Sequence, residues 1–205
     1  GRGRYTDDIP AARMGHVAYL RSPYSHARIV NIDSEAAARA PGVLLVATGA
    51  DIAAQCKRWC GTHDLFPALV AAEQPPLAVE RACWHGEPVV AVVAETRAAA
   101  EDAVELIRVA WEELPPVTDA EAALTGPAMH PSLDSNIGFE TTVEAGEVKA
   151  AYEGAEIVVE ETFRFGRHTG VSLEPRSILA DYNPAEDSLV VHQSHQTPPQ
   201  QQDLF

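Results

Sequence analysis

Long apolar runs are missing from this sequence. None approaches the ~18 residues that a membrane helix needs. The opening residues, Gly1-Arg2-Gly3-Arg4-Tyr5-Thr6-Asp7-Asp8, carry neither an initiator Met nor an apolar signal core. The expectation is a cytoplasmic chain with no membrane span, cut from something longer. Cations are scarce too: 15 Lys and Arg stand against 30 Asp and Glu, for a net charge of −15. Such a chain repels phosphate, so nucleic acid and anionic membrane drop out as expected partners. The acidic residues are scattered rather than run together, as on a solvated surface.

Cysteine is sparse, with Cys56, Cys60 and Cys83 alone. An odd number at irregular spacing argues against a disulfide scaffold. Cys56-x3-Cys60, with Trp59 and His63 nearby, is the nearest approach to a metal pattern. Structural zinc usually shows a tighter first pair and a second pair downstream. The thiols therefore read as buried or idle, and no metal ligand set is expected. No Ser-His-Asp arrangement or nucleophile elbow is visible, and Ser25 beside His26 is only a sequence neighbour. Gly154, Gly166 and Gly170 are isolated and make no phosphate cradle. An independent hydrolase is a poor reading.

What is present suits one or two domains with a real core: 205 residues, 46% of them hydrophobic. Residues 15–21 and 27–33 are short apolar runs separated by Ser22-Pro23-Tyr24-Ser25, and they read as two strands. Ser34 looks like an N-cap for an Ala-rich helix over 35–40, stopped by Pro41-Gly42. A buried strand over 43–48 and a short helix over 49–55 follow. Residues 56–80, with Pro67, Pro75 and Pro76, read as a loop at an interface.

Residues 87–94, Glu-Pro-Val-Val-Ala-Val-Val-Ala, form the clearest strand, apolar enough to be covered on both faces. Thr96 caps a helix from Arg97 to about Leu106, with Glu101 and Glu105 facing out. Residues 107–113 leave as a strand, ended by Pro115-Pro116. From 117 to about 146 the proline and glycine content marks a connector and the domain boundary. Beyond it come a short helix (147–152), a long strand (156–167), and a hairpin of 177–182 with 189–192 around Asn183-Pro184. These strands have apolar faces but too few partners to close a core. The second unit is therefore expected to be incomplete and to expose apolar surface, with self-association as a consequence. The fold class is α+β.

Five pieces, in order, carry a resemblance. They are Gly3-Arg4-Tyr5-Thr6-Asp7-Asp8, Leu20-Arg21-Ser22-Pro23-Tyr24-Ser25-His26-Ala27-Arg28-Ile29, and Gly86-Glu87-Pro88-Val89-Val90-Ala91-Val92-Val93-Ala94-Glu95-Thr96. Leu173-Glu174-Pro175-Arg176 and Ser194-His195-Gln196-Thr197-Pro198 complete the set. Nearly end to end, the sequence resembles the start of the large, molybdenum-binding subunit of the xanthine dehydrogenase/aldehyde oxidase/carbon monoxide dehydrogenase family. The resemblance implies an α/β hammerhead domain over 1–116. It implies the connector and truncated opening of a molybdopterin-binding domain over 117–205. It also implies an oxidoreductase that hydroxylates an aldehyde, purine or N-heterocycle with water as oxygen source. The cofactor would be molybdopterin, in the cytosine dinucleotide form common in bacteria. Iron–sulfur and FAD centres would sit on partner subunits or domains, and the partners would be the remainder of the large subunit with those two.

Residue by residue, Gln196 matches the family glutamine that approaches an oxo group on molybdenum, where its amide would donate a hydrogen bond. Without the resemblance it reads as a surface glutamine in a Gln-rich turn. Glu174 and Arg176 match a family signature and would order the cofactor cavity, or form a structural ion pair. His168 and His195 would line the same region or merely pack. The family's later Gly-rich loop and the late glutamate that acts as general base have no counterpart in these 205 residues. No complete catalytic set is therefore expected, and this chain alone is expected to be inactive and to bind no cofactor tightly. The alternative is a stand-alone hammerhead scaffold or binding module that has lost the chemistry.

Overall fold

The structure is a computed structural model that describes residues 2–61, 66, 68–166, 168–196 and 201. By contacts the chain divides into a larger unit, Arg13–Glu144, and a smaller one formed by Gly1–Ala12 with Ala145–Phe205.

In the larger unit the strands are β1 (His16–Arg21), β2 (Ala27–Asp33), β3 (Val43–Thr48), β4 (Arg81–Ala82), β5 (Pro88–Ala94) and β6 (Arg108–Glu113). Its helices are α1 (Glu35–Ala38), α2 (Gly49–Ile52), α3 (Arg97–Glu105) and α4 (Ala120–Ala123). Two antiparallel sheets form, in the orders β1-β5-β3 and β4-β2-β6. β5 is thus flanked on both sides, and Val89, Val90 and Val92 are all 0% exposed. Both sheets and both main helices feed one core. Ala37 of α1, Ala103 of α3 and Ile107 pack with the β5 valines, and Ile29, Ile32 and Trp111 close over them. A continuous Val/Ala run with β-branched side chains suits this central strand.

Local chemistry sets the element ends. The Thr96 hydroxyl accepts the Ala99 N–H at 3.2 Å and starts α3. Ser34 makes no such bond; the Asp33 carboxylate takes the Glu35 N–H at 3.2 Å instead, and α1 ends at Ala38. α2 is also shorter than its sequence suggests and ends at Ile52. Its first residue, Gly49, lies so close to the Leu77–Ala78 backbone that an added Cβ would stand 2.3 Å from the Ala78 carbonyl oxygen. That close approach requires glycine.

The strands over 15–21 and 27–33 fall in different sheets. Between them Ser22 is buried, and its hydroxyl donates to the Tyr24 carbonyl at 2.9 Å and accepts the Tyr24 N–H at 3.1 Å. This serine turn swings the chain from one sheet to the other. Residues 117–144 pack with the larger unit. Val70 N–H donates to the Gly138 carbonyl at 2.7 Å, Phe66 stacks on Phe139 at 4.4 Å, and the Asn136 side chain ties together Ala123, Pro127 and Met129. Within residues 56–80, Trp59 and Gln74 form an isolated bridge, while His63 and Pro67 lie outside the described residues.

The smaller unit holds a 3-10 turn (Thr6–Asp8), α5 (Val148–Gly154) and the antiparallel hairpin β7 (Ile178–Asn183) and β8 (Ser188–Gln193). The strand expected over 156–167 is not formed in the described residues 156–166. A strand exists only as part of a ladder, and this stretch has no ladder partner among the described residues. Its apolar side chains lie open, with Ile157 and Val159 both 80% exposed and Phe165 91% exposed.

Candidate functional site

Two of the sequence motifs meet in the larger unit. The Ser22 N–H donates to the Glu87 carbonyl, and the Gly86 N–H donates to the Ser22 carbonyl, both at 2.9 Å. Arg21 Nη1 donates to the Gly86 carbonyl at 2.9 Å. His26 is buried and its Nδ1 lies 2.8 Å from the Pro115 carbonyl oxygen, so that nitrogen carries the proton. These motif residues hold the fold together.

Beside them is a small cavity of about 270 Å³, lined among others by Arg58, Arg81, Cys83, Glu87 and His130. The buried Glu87 carboxylate accepts the Cys83 N–H at 2.6 Å. Burial nonetheless pushes its carboxyl above the usual range, against the pull of the Cys83 and Trp84 N–H groups. Burial, then the nearby Glu87 charge, raises the Cys83 thiol. Burial, then His26, lowers His130. Sequence reasoning took Glu87 as part of a strand and gave no sign of His130, because nothing local in the chain brings residues 87 and 130 together. Cys56 and Cys60 are exposed, Cys83 is half-buried, and all three are unbridged.

In the smaller unit, the hairpin is built from its turn. The Asn183 side chain accepts the Ala185 N–H at 3.0 Å, and Asp187 takes a φ of 48°. Tyr182 Oη donates to the Asp187 carboxylate at 2.8 Å, which raises the phenol. β8 then runs to Gln193 and delivers Ser194, His195 and Gln196, all exposed. Gln193 Nε2 donates to Gln201 Oε1 at 3.3 Å. Thr197 and Pro198 of this motif lie outside the described residues.

Glu174 faces the same strand end. Its backbone carbonyl accepts the Ser172 hydroxyl at 2.8 Å, and its Oε1 accepts the Thr6 N–H at 3.0 Å. The Thr6 N–H, then the Ser194 hydroxyl, hold its carboxyl below the usual carboxylate range, with slight opposition from desolvation and from Asp8. Around these groups lies an open cleft of about 630 Å³, lined among others by Arg4, Tyr5, Thr6, Glu174, His192 and Ser194. The pairing expected between Glu174 and Arg176 is not formed; the carboxylate turns to the Thr6 N–H instead, and Arg176 is exposed. His168 is exposed, with Nδ1 3.4 Å from the Gly166 carbonyl oxygen.

Among the described residues, no three His, Cys, Asp or Glu side chains converge as a metal site. The smaller unit offers amide, hydroxyl and guanidinium donors on Gln196, Ser194 and Arg4. That donor set fits an oxygen-rich, anionic cofactor held by hydrogen bonds. No helix among the described residues is long and apolar enough to cross a membrane.

Comparison with known proteins gives these features a context. Residues 1–115 match the aldehyde oxidase and xanthine dehydrogenase a/b hammerhead domain, and residues 129–205 match the molybdopterin cofactor-binding domain. The chain is 39% identical over 201 residues to the nicotine 6-hydroxylase large subunit of Paenarthrobacter nicotinovorans, covering 97% of this chain and 24% of that one. It is 33% identical over 165 residues to the xanthine dehydrogenase molybdenum-binding subunit of Escherichia coli O157:H7, covering 78% and 21%. Its fold superposes on the quinoline 2-oxidoreductase of Pseudomonas putida 86 with a TM-score of 0.90 at 38% identity, over 99% of this chain and 26% of that chain. The chain therefore spans about a quarter of the length of the relatives it matches. With both family domains matched in order along its length, the chain belongs to the aldehyde oxidase and xanthine dehydrogenase family of molybdenum hydroxylases.

Proposed function

We propose that this chain is the N-terminal portion of the large subunit of a cytoplasmic molybdenum hydroxylase and builds one wall of its cofactor cleft. The observation that carries this reading is the alignment of 97% of the chain, at 39% identity, with only 24% of a hydroxylase large subunit. The exposed apolar stretch at 156–166 supports it, because apolar side chains this open need a covering surface. Residues 1–116 are the hammerhead domain, and residues from 117 open the cofactor domain. In this division residues 117–144 are a connector that folds back onto the hammerhead.

When bound, the molybdopterin cofactor, in its cytosine dinucleotide form, supplies the redox chemistry that hydroxylates a substrate carbon with oxygen from water. Gln196 stands three residues beyond the end of β8, with an exposed carboxamide. Its N–H would donate to an acceptor oxygen of the cofactor and orient that group. Glu174 and Arg176 belong to the same wall. The remaining catalytic groups come from the rest of the subunit. Iron–sulfur and FAD centres on partner subunits would supply the electron-transfer chemistry. The names of the relatives at 38–39% identity, nicotine 6-hydroxylase and quinoline 2-oxidoreductase, favour an N-heterocycle as substrate.

The test is purification from source cells with metal analysis, followed by Gln196→Ala in the complex. A long polypeptide carrying molybdenum and iron, whose turnover of N-heterocycles falls about 10–100-fold in the variant, is expected. A 22.0 kDa chain that purifies alone and metal-free would overturn the reading in favour of a scaffold module.

A further inference from the structure

We infer that Glu174 is a positioning residue that clamps the N-terminal turn to the strand end bearing Gln196, acting through the Thr6 N–H and Ser194 rather than by touching the cofactor. The assignment rests on the preceding reading only for Gln196's role; the clamp itself stands on this chain's own contacts.

Three separate stretches converge on one carboxylate. Thr6, the first residue of the Thr6–Asp8 turn, donates its backbone N–H to Oε1 at 3.0 Å. That turn is closed on itself, since the Asp8 carboxylate accepts the Tyr5 N–H at 2.9 Å. The second stretch is Glu174's own, where the Ser172 hydroxyl bonds the Glu174 carbonyl at 2.8 Å and fixes the backbone from which the carboxylate projects. The third is the residue just past β8, Ser194, which lines the same cleft as Thr6 and Glu174 and whose hydroxyl joins the Thr6 N–H in holding the carboxyl below its usual range. Gln196 lies two residues further on.

Ionised carboxylates form the stronger class of hydrogen bond, and one acceptor shared by two donors fixes both in place. The backbone past an exposed strand end otherwise samples many conformations, and ordering it costs conformational entropy. The clamp removes part of that freedom in advance, as a group supporting a ligand-facing residue does. It also gives the Arg4–Asp8 sequence a role at the site that its distance along the chain conceals.

The experiment uses the full-length holoenzyme. Backbone hydrogen exchange is followed by mass spectrometry in peptides covering residues 4–9 and 190–196, with molybdenum(V) EPR recorded alongside. Glu174→Ala should raise exchange at least about tenfold in both peptides, and Glu174→Gln, which keeps an acceptor oxygen, should restore most of the protection. Thr6→Pro deletes the donor while its fixed φ suits the first position of a helical turn. It should loosen the same two peptides, and its combination with Glu174→Ala should add little, as for two halves of one contact.

Unchanged exchange over 190–196 in Glu174→Ala, or full additivity of the pair, would overturn the clamp. Gln196→Ala separates the two ideas. If it leaves the EPR signal unchanged while Glu174→Ala still loosens both peptides, the clamp stands and Gln196's role at the cofactor falls. If it alters the signal while Glu174→Ala loosens nothing, the cofactor role stands and the clamp falls.

Discussion

Residues 88–94 and 156–166 both carry strand-forming side chains, Val in the first and Ile, Val, Thr and Phe in the second, and they end up in opposite situations. The first run becomes β5, hydrogen-bonded to β1 on one side and β3 on the other, with Val89, Val90 and Val92 sealed from solvent. The second forms no strand among the described residues and leaves Ile157, Val159 and Phe163 78–80% exposed. Strand propensity is therefore a statement about fitting a pleated, half-buried surface, and the surface must exist for the preference to act. In the larger unit α1, α3 and two sheets supply it; among the described residues the smaller unit has one two-stranded hairpin, which is marginal in water by itself.

The largest expected effect breaks the two runs apart experimentally. In the 205-residue chain alone, hydrogen exchange in β5 should report global unfolding, of order 5–15 kcal/mol for a folded domain. Amides over 156–166 should exchange with almost no protection, a contrast of more than about a thousandfold. Equal protection in the two runs would mean that the smaller unit has a core of its own. Adding the remainder of the large subunit should raise protection over 156–166 and leave β5 as it was.

A second contrast uses one substitution in both units. Gly49→Ala drives a methyl into the Leu77–Ala78 backbone, which cannot yield as a flexible side-chain tip does. The expected loss is about 1–3 kcal/mol, read as a lower denaturant midpoint at unchanged slope. Gly154→Ala at the end of α5 meets nothing within 4 Å. It should be neutral or stabilising by up to about 1 kcal/mol, since it reduces only unfolded-chain freedom. Similar costs at the two sites would remove the claimed difference in packing.

What the sequence made legible follows the same division. β2 and β3 carry their boundaries in plain view, and so does the Thr96 cap, because each depends on residues next to it. Ser34 misled because Asp33, one residue earlier, offers a competing acceptor to the same helix start. The long strand at 156–167 misled because periodicity describes a face and says nothing of whether a partner is present. At the candidate site, the motifs pointed to Gln196, Glu174 and Arg176, yet nothing in the sequence signalled the bond joining residues 6 and 174. The polar cavity with Glu87 and His130 was illegible for the same reason. It is assembled from residue 58, residues within 73–87 and residues 130–132, which only the folded chain brings together.

The smallest expected effect sharpens the comparison further, because the two units bend one carboxyl pKa in opposite directions. Burial raises Glu87, among the nearby charges of Arg58, Arg81, Glu73, Glu80 and His130. A raised folded pKa means that the folded state binds the proton more tightly than the unfolded one. Glu87's contribution is then fully present below the ordinary glutamate value near 4.3 and is lost as pH rises through the folded value. Glu174 is the reverse. The Thr6 N–H and the Ser194 hydroxyl lower it, while Asp8 opposes and Arg4 and His192 line the same cleft. Its contribution is present above the ordinary value and disappears as pH falls through the depressed one. Acidifying from pH 7 toward pH 3 should loosen peptides 4–9 and 190–196 first, with Glu87 working against the acid loss in the larger unit. Glu174→Gln should flatten the response of the first, and Glu87→Gln that of the second, in exchange measurements corrected for intrinsic rates. If both variants flatten the same region, the two carboxylates do not belong to separately stabilised units.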